Sequence, residues 1–354
     1  MADHVRGQER KQSGNAVEAA MSTEADRLLT IVVIGLNEEA RLRDSLTSVF
    51  ACKPRDFSLQ VIYVDSGSTD RSLEIAASIE DVEILRLDAR ARSAAKARNL
   101  GLRHARGVYV QLVDGDSVVQ GGWLDMAVNE LERRPEVSCV FGQCVEVDPD
   151  QSIYMQVCGL DWHTPAGEYR LCGGNAMWRL SSIVANGYFD EALESGEEPD
   201  LCYRVRHSGG KIVCIDAPMV KHDLQMRRFS QYWLRGEKTG RGYARIAMRY
   251  RSKAEKLWLR EFVMNFAEPL LWVLFAVTGW IASGVSGAAL ALVIWWAARA
   301  VQIGFAMRGR GLSVARRLMY GFHCQFVRLP VAVGQLGALS SGAMAWRAST
   351  ADDR

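Results

Sequence analysis

Two carboxylates, Asp114 and Asp116, stand two positions apart where the apolar run Val108–Val113 ends. At the mouth of a strand such a pair can point into one cleft and share a hard divalent cation with a diphosphate. By itself a D-x-D is weak, since one is expected by chance in this length, and Asp148-Pro149-Asp150 is a second. The second follows a later strand at a Pro turn and reads as solvated loop. Asp65 closes another apolar run, Leu59–Val64, before Ser68-Thr69-Asp70, good helix-capping residues. There it can accept from a base N–H or a ribose hydroxyl, or it can merely cap its own turn. The first strand–helix turn lacks G-x-G-x-x-G and the chain lacks G-x-x-x-x-G-K-[ST], which disfavours an NAD site and a P-loop. The eight cysteines include no C-x-x-C, so neither a zinc ribbon nor a thioredoxin-like site is indicated.

These residues need a scaffold that carries strand ends to one edge. Leu29–Ile34, Leu59–Val64, Val82–Leu87 and Val108–Val113 alternate with helical spacing at 40–50, 72–79 and 91–105. That alternation predicts a doubly wound parallel sheet. Its ligand crevice lies beyond the carboxyl ends of the strands, where the loops at 35–39, 65–70 and 114–116 converge. After a helix over 123–133 the rhythm becomes irregular, with strands at 138–147 and 211–216, a helix at 201–208, and closure near 225.

The whole chain is nearly neutral, Lys+Arg 43 against Asp+Glu 41 in 354 residues, which speaks against a nucleic-acid binder. The mean hides an asymmetry. Residues 227–260 hold eleven Lys/Arg and two Glu, and Pro269 to Ala298 carry no charge at all. A basic belt beside an apolar stretch is a membrane signature. Residues 228–260 read as a basic amphipathic helix at a membrane surface. Ser283–Gly287 splits the apolar stretch, so a two-helix hairpin with both ends cytoplasmic is expected. A third uncharged segment, 329–346, reads as an interfacial or packed helix. The expected divisions are a disordered tail over 1–27, a catalytic domain over 28–225, basic juxtamembrane helices over 226–261, a hydrophobic transmembrane hairpin over 262–307, and C-terminal interfacial helices and tail over 308–354.

Read in order, Ile31-Val32-Val33-Ile34-Gly35-Leu36-Asn37-Glu38-Glu39 and Val61-Ile62-Tyr63-Val64-Asp65-Ser66-Gly67-Ser68-Thr69-Asp70 resemble the paired opening of family-2 glycosyltransferases. Ala97-Arg98-Asn99-Leu100-Gly101 and Val113-Asp114-Gly115-Asp116 follow in that family's order, and Gly196–Arg204 resembles its acidic E-D-x-D-L-x-x-R element. The resemblance covers about residues 29–206. It implies an α/β fold of the GT-A type, a Rossmann-like mixed sheet, here with a C-terminal membrane-associated helical region. It also implies inverting transfer of a sugar from a nucleotide diphosphate with Mg²⁺ or Mn²⁺.

By this resemblance Asn37, Glu39 and Asp65 would hold the nucleoside, and Arg98 would face the nucleotide or its phosphates, where a cation stabilises the leaving group. Asp116 would ligate the metal, with Asp114 on ribose or metal and His222 as a third ligand or a structural histidine. Glu198 matches the position of the family's catalytic aspartate, with Glu197 beside it. Adjacent carboxylates repel, which would lift one pKa into a range useful to a base. The family's Asp is Glu here and Pro199 follows, so which glutamate is the base stays open. Gly173-Gly174-Asn175 suits a close backbone approach to sugar or acceptor, or is a plain turn.

The expected function is single-sugar transfer from a nucleotide-diphosphate sugar to a lipid-linked, polyprenyl-borne glycan at the cytoplasmic face of the inner membrane, without nucleic acid. Two alternatives stand beside it: transfer to polyprenyl phosphate itself, and an inactive donor-binding or scaffold subunit. A sugar nucleotidyltransferase would carry a Gly-rich basic loop where Asn37-Glu38-Glu39 stands.

Overall fold

In a computed structural model, which describes residues 27–340 apart from 89, 91 and 163, the run Leu28–Gly35 is strand β1. The expected tail over 1–27 lies, but for residue 27, outside the described residues, as does the end of the chain from 341. Helix α1 (Leu42–Ala51), β2 (Ser58–Asp65), α2 (Ser72–Ala77), β3 (Val82–Arg86), α3 (Ala94–His104), β4 (Tyr109–Asp114), β5 (Ser117–Val119) and α4 (Trp123–Arg133) follow. Then come β6 (Val137–Glu146), α5 (Ile153–Leu160), β7 (Gly167–Tyr169), β8 (Ala176–Arg179), α6 (Leu180–Ala185), α7 (Glu197–His207) and β9 (Lys211–His222). The last four helices are α8 (Phe229–Tyr250), α9 (Leu259–Ala306), α10 (Val314–Phe326) and α11 (Arg328–Ser340).

The chain divides into two compact units, one of residues up to 147, 163–192 and 197–223, the other of 148–162, 193–196 and 224 onward. The first is built on a sheet of order β3-β2-β1-β4-β8-β6-β9-β5, with β7 paired to β9. Strands β3, β2, β1 and β4 are mutually parallel, and β8 runs antiparallel to both β4 and β6. Strands β1, β2 and β4 are apolar without alternation because helices cover both faces of a parallel sheet. Leu29, Ile31, Val32, Ile62, Val110 and Leu112 are all shut off from solvent. Helix α3 comes so near β1 that a Cβ on Gly101 would sit 2.4 Å from Val32 Cγ1. Some polar side chains buried with the sheet pair with one another: Trp123 Nε1 donates to Gln111 Oε1 at 2.8 Å, and Thr30 Oγ1 to Gln60 Oε1 at 2.9 Å.

Several elements differ from the sequence-based expectation. Helix α7 starts at Glu197 rather than 201, since Pro199 falls in the first turn, where its missing N–H costs no helical bond. Strand β9 extends to His222 by pairing with β6, β7 and β5. The basic segment is not one helix to 260: α8 stops at Tyr250, and a turn intervenes before α9.

In the second unit α8 and α11 pack backbone to backbone. A Cβ on Gly240 would lie 2.0 Å from the carbonyl oxygen of Val331. Helix α9 is long and apolar enough to cross a membrane. It breaks at Ser283 (φ −152°, ψ 26°) and Gly284 (φ 64°, ψ −149°), a conformation glycine accepts without strain. There it turns back on itself. Ring centroids of Trp272 and Trp296 are 4.7 Å apart, those of Phe275 and Trp295 4.5 Å apart, and Gly279 packs on Gly287. Its apolar side chains face outward, with Leu270 67%, Ile281 75% and Val285 80% exposed.

Candidate active site

Strand register gathers the acids. Gly35 pairs with Asp65 and Ile34 with Asp114, so the ends of β1, β2 and β4 are level, while Ser117 pairs with His222 across β5 and β9. Asp114, Asp116 and His222 consequently offer one ligand atom each within 4.8 Å of one another. His222 Nε2 lies 3.3 Å from Asp116 Oδ1. Two carboxylate oxygens and an imidazole nitrogen at this spacing fit one divalent ion of the Mg²⁺/Mn²⁺ kind. Burial, then the charge of Asp114, push the Asp116 carboxyl above its ordinary range, against the pull of His222 and Arg41. A cation seated there would relieve both.

Arg98, on α3, is 4% exposed. Its Nη1 donates to Glu197 Oε1 at 3.1 Å and to Glu198 Oε1 at 2.8 Å, and Nη2 to Asp114 Oδ1 at 3.1 Å. Burial disfavours its charge, but Glu198, Asp114 and Glu197 hold the guanidinium firmly protonated. The repulsion expected between the two glutamates is thus offset by a shared cation. Glu197 is buried, its side chain 6% exposed, whereas that of Glu198 is 20% exposed.

The Gly173-Gly174-Asn175 loop serves this cluster. Asn175 Oδ1 accepts from the Asp114 backbone N–H at 2.9 Å, and its Nδ2 donates to Asp114 Oδ2 at 3.3 Å. A Cβ on Gly174 would sit 2.2 Å from Arg98 Nη2. Only glycine leaves room there.

The expected nucleoside residues stand on the neighbouring loops. Asp65, 1% exposed, closes its own turn: Oδ2 accepts from the N–H groups of Gly67 and Ser68, each at 2.9 Å, and Oδ1 from Tyr63 Oη at 3.2 Å. Asn37, at φ 58°, accepts from Thr69 N–H at 2.8 Å, and Glu39 Oε2 from Arg71 N–H at 3.1 Å. In this conformation Asn37 and Glu39 tie the first loop to the second, while Asp65 holds the second in shape. The second D-x-D belongs to the other unit, where Asp150 pairs with Arg316 at 3.1 Å.

Sequence reasoning passed over Glu38, Arg41 and the specific part of Asn175. Burial pushes the Glu38 carboxyl up to about 7, although Arg41 pairs with it and pulls the other way. Arg41 also donates from Nη1 to the Asp223 carbonyl at 3.0 Å, next to His222. The signal for Glu38 was its place inside the Asn37–Glu39 motif; for Arg41 there was none.

Residues 30–170 match the family model for glycosyl transferase family 2. Over 264 residues, 71% of this chain, the sequence is 25% identical to a pre-mycofactocin glycosyltransferase of Mycobacterium tuberculosis, covering 53% of that protein. The chain thus spans about half the length of that curated relative. It is 27% identical over 273 residues, 71% of itself and 79% of the relative, to the succinoglycan biosynthesis protein ExoA of Rhizobium meliloti. Among solved structures it is similar to the mannosyltransferase PcManGT from Pyrobaculum calidifontis in complex with GDP-Man and Mn²⁺. That likeness has a TM-score of 0.58 at 20% identity and covers 87% of this chain and 86% of the other. The fold is GT-A.

Proposed function

We propose that this family-2 glycosyltransferase moves one sugar from a nucleotide-diphosphate sugar to a lipid-linked glycan at the cytoplasmic face of a membrane. The observation that carries the reading is the juxtaposition of a metal-fitting triad with a pair of glutamates held by Arg98. Asp114, Asp116 and His222 would hold Mg²⁺ or Mn²⁺, and such an ion, when bound, offsets charge on the departing diphosphate. Mn²⁺ in the similar mannosyltransferase supports that choice.

Glu198 is the base. It is the more exposed of the two glutamates, and its carboxylate takes the proton of the acceptor hydroxyl as that oxygen attacks the anomeric carbon. The new glycosidic bond forms as the bond to the diphosphate breaks, so the anomeric centre inverts and the nucleotide diphosphate leaves. Glu197 stays anchored on Arg98. Asn37 and Glu39, which join the two loops, and Asp65, which closes the second, shape the nucleoside end of the crevice. The outward-facing apolar hairpin and the basic α8 support attachment to a membrane, and ExoA's printed role in succinoglycan biosynthesis supports a glycan acceptor.

The test is nucleotide release by detergent-purified protein across a nucleotide-sugar panel, with Mn²⁺, Mg²⁺ or EDTA. Metal-dependent release from one donor, lost in Asp116→Ala and Glu198→Gln, is expected. Analysis of lipid products then separates a glycan acceptor from polyprenyl phosphate. Metal-dependent binding without turnover on any lipid acceptor would favour a scaffold subunit.

A further inference from the structure

We infer that Arg98 is a positioning residue, which holds Glu198 in place as the base and couples it to the donor carboxylate Asp114, rather than a ligand of the nucleotide. The inference rests on the transferase reading above. Both terminal nitrogens of Arg98 donate to carboxylates of this chain, and its Nε is buried without a partner. Its guanidinium also lies over the Phe189 ring, 5.6 Å from the centroid, and Gly174 leaves no more than a hydrogen's width beside Nη2. A side chain so enclosed reaches an incoming diphosphate only by abandoning Asp114 or the glutamates.

Charge points the same way. Three carboxylates, Asp114, Glu197 and Glu198, pair with one guanidinium, and Asp116 stands beside Asp114, so this cluster is acidic as it stands and repels a diphosphate. The cation that the donor needs is the one the triad would hold. Arg98 has a different task. Glu197 is buried and adjacent to Glu198, and two neighbouring carboxylates splay apart unless a cation draws them together. A fork of nitrogens holds both glutamates on Nη1 and Asp114 on Nη2, which a point charge on a flexible stem does not reproduce. Asp114 and Glu198 are thereby tied to one guanidinium although they stand 16 and 100 positions along the chain from Arg98.

Arg98→Gln and Arg98→Lys, each alone and combined with Glu198→Gln, decide the matter through two measurements. One is Mn²⁺-dependent binding of UDP and GDP; the other is the rate of nucleotide release from the preferred donor. The expected result is nucleotide affinity within about 3-fold of wild type, with kcat at least about 100-fold lower in Arg98→Gln, of the order seen when one preorganised group is removed. Arg98→Lys recovers part of that loss. In the Glu198→Gln background Arg98→Gln costs less than about 3-fold more, because two residues that act as a unit are not additive. A fall of 10-fold or more in nucleotide affinity with kcat kept, or losses that multiply in the double variant, overturns the positioning role. Should Arg98→Gln not fold, Arg98→Lys, which keeps the charge, is judged by the same two readouts. If wild type binds no nucleotide with metal, the transferase reading itself falls, and this role with it.

Discussion

Glu268 Oε1 and Arg299 Nη2 lie 2.5 Å apart although 31 residues separate them. A straight helix would hold them about 46 Å apart at 1.5 Å per residue. The pair therefore closes the open end of the α9 hairpin, with Glu268 almost wholly buried. Glu268→Ala strands a cation among apolar helices and is expected to destabilise the detergent-solubilised protein by about 3–5 kcal/mol. The double change Glu268→Met with Arg299→Met restores stability or raises it. Chemical denaturation of both variants in micelles checks this; equal losses in both would show that the pair is not what closes the hairpin.

His222→Ala removes the nitrogen ligand of the triad while leaving Asp114 and Asp116. The Mn²⁺ concentration giving half-maximal nucleotide release should rise at least about 10-fold, as when support of a metal site is lost. A metal titration that stays in place in this variant would remove His222 from the ligand set.

Gly174→Ala introduces a methyl 2.2 Å from Arg98 Nη2. The backbone there needs no glycine conformation, so the whole effect falls on the guanidinium. Release of nucleotide should drop at least 10-fold with little change in melting temperature. Circular dichroism and the release assay, run side by side, read both quantities.

Glu38 gives a pH signature. Its carboxyl is raised from 4.5 to about 7 by burial, so the folded state binds a proton more tightly than the unfolded one. The resulting stability is full below pH 4.5 and is lost as pH rises to about 7. At 1.36 kcal/mol per pKa unit this amounts to roughly 3 kcal/mol at most. Glu38→Gln lacks the titration. Its stability relative to wild type, measured in EDTA, should climb between pH 4.5 and 7 and then level off. A difference that is flat across this window would mean that Glu38 is solvated.

What was legible in the sequence was the donor edge. Continuous apolar runs ending in Gly35, Asp65 and Asp114 specify parallel strands and, through register, the level at which their acids stand. What each acid touches was not legible, because a side chain's partners come from loops that are remote in sequence. Asp65 reads as a ligand or a cap with equal ease, and only the folded turn shows its carboxylate filled by Gly67, Ser68 and Tyr63. Asn175 read as part of a glycine turn because its partner, Asp114, lies 61 residues away. The length of β9 escaped notice since Pro218 and a charged Lys221 interrupt its apolar pattern, and pairing with β5, β6 and β7 overrides that local signal.

The place of His222 at the end of β9 also sets an order of events during synthesis. At about 5–20 residues per second, a growing chain has made Asp114, Asp116 and Arg98 several seconds before the strand that brings the histidine, and Glu198 follows Arg98 by 100 residues. Until that strand docks, the nascent protein carries Asp114 and Asp116 without the imidazole of His222. The two acids and the imidazole thus come together late, when β9, the last strand in sequence order, is laid into the sheet. The apolar hairpin, residues 259–306, leaves the ribosome after it.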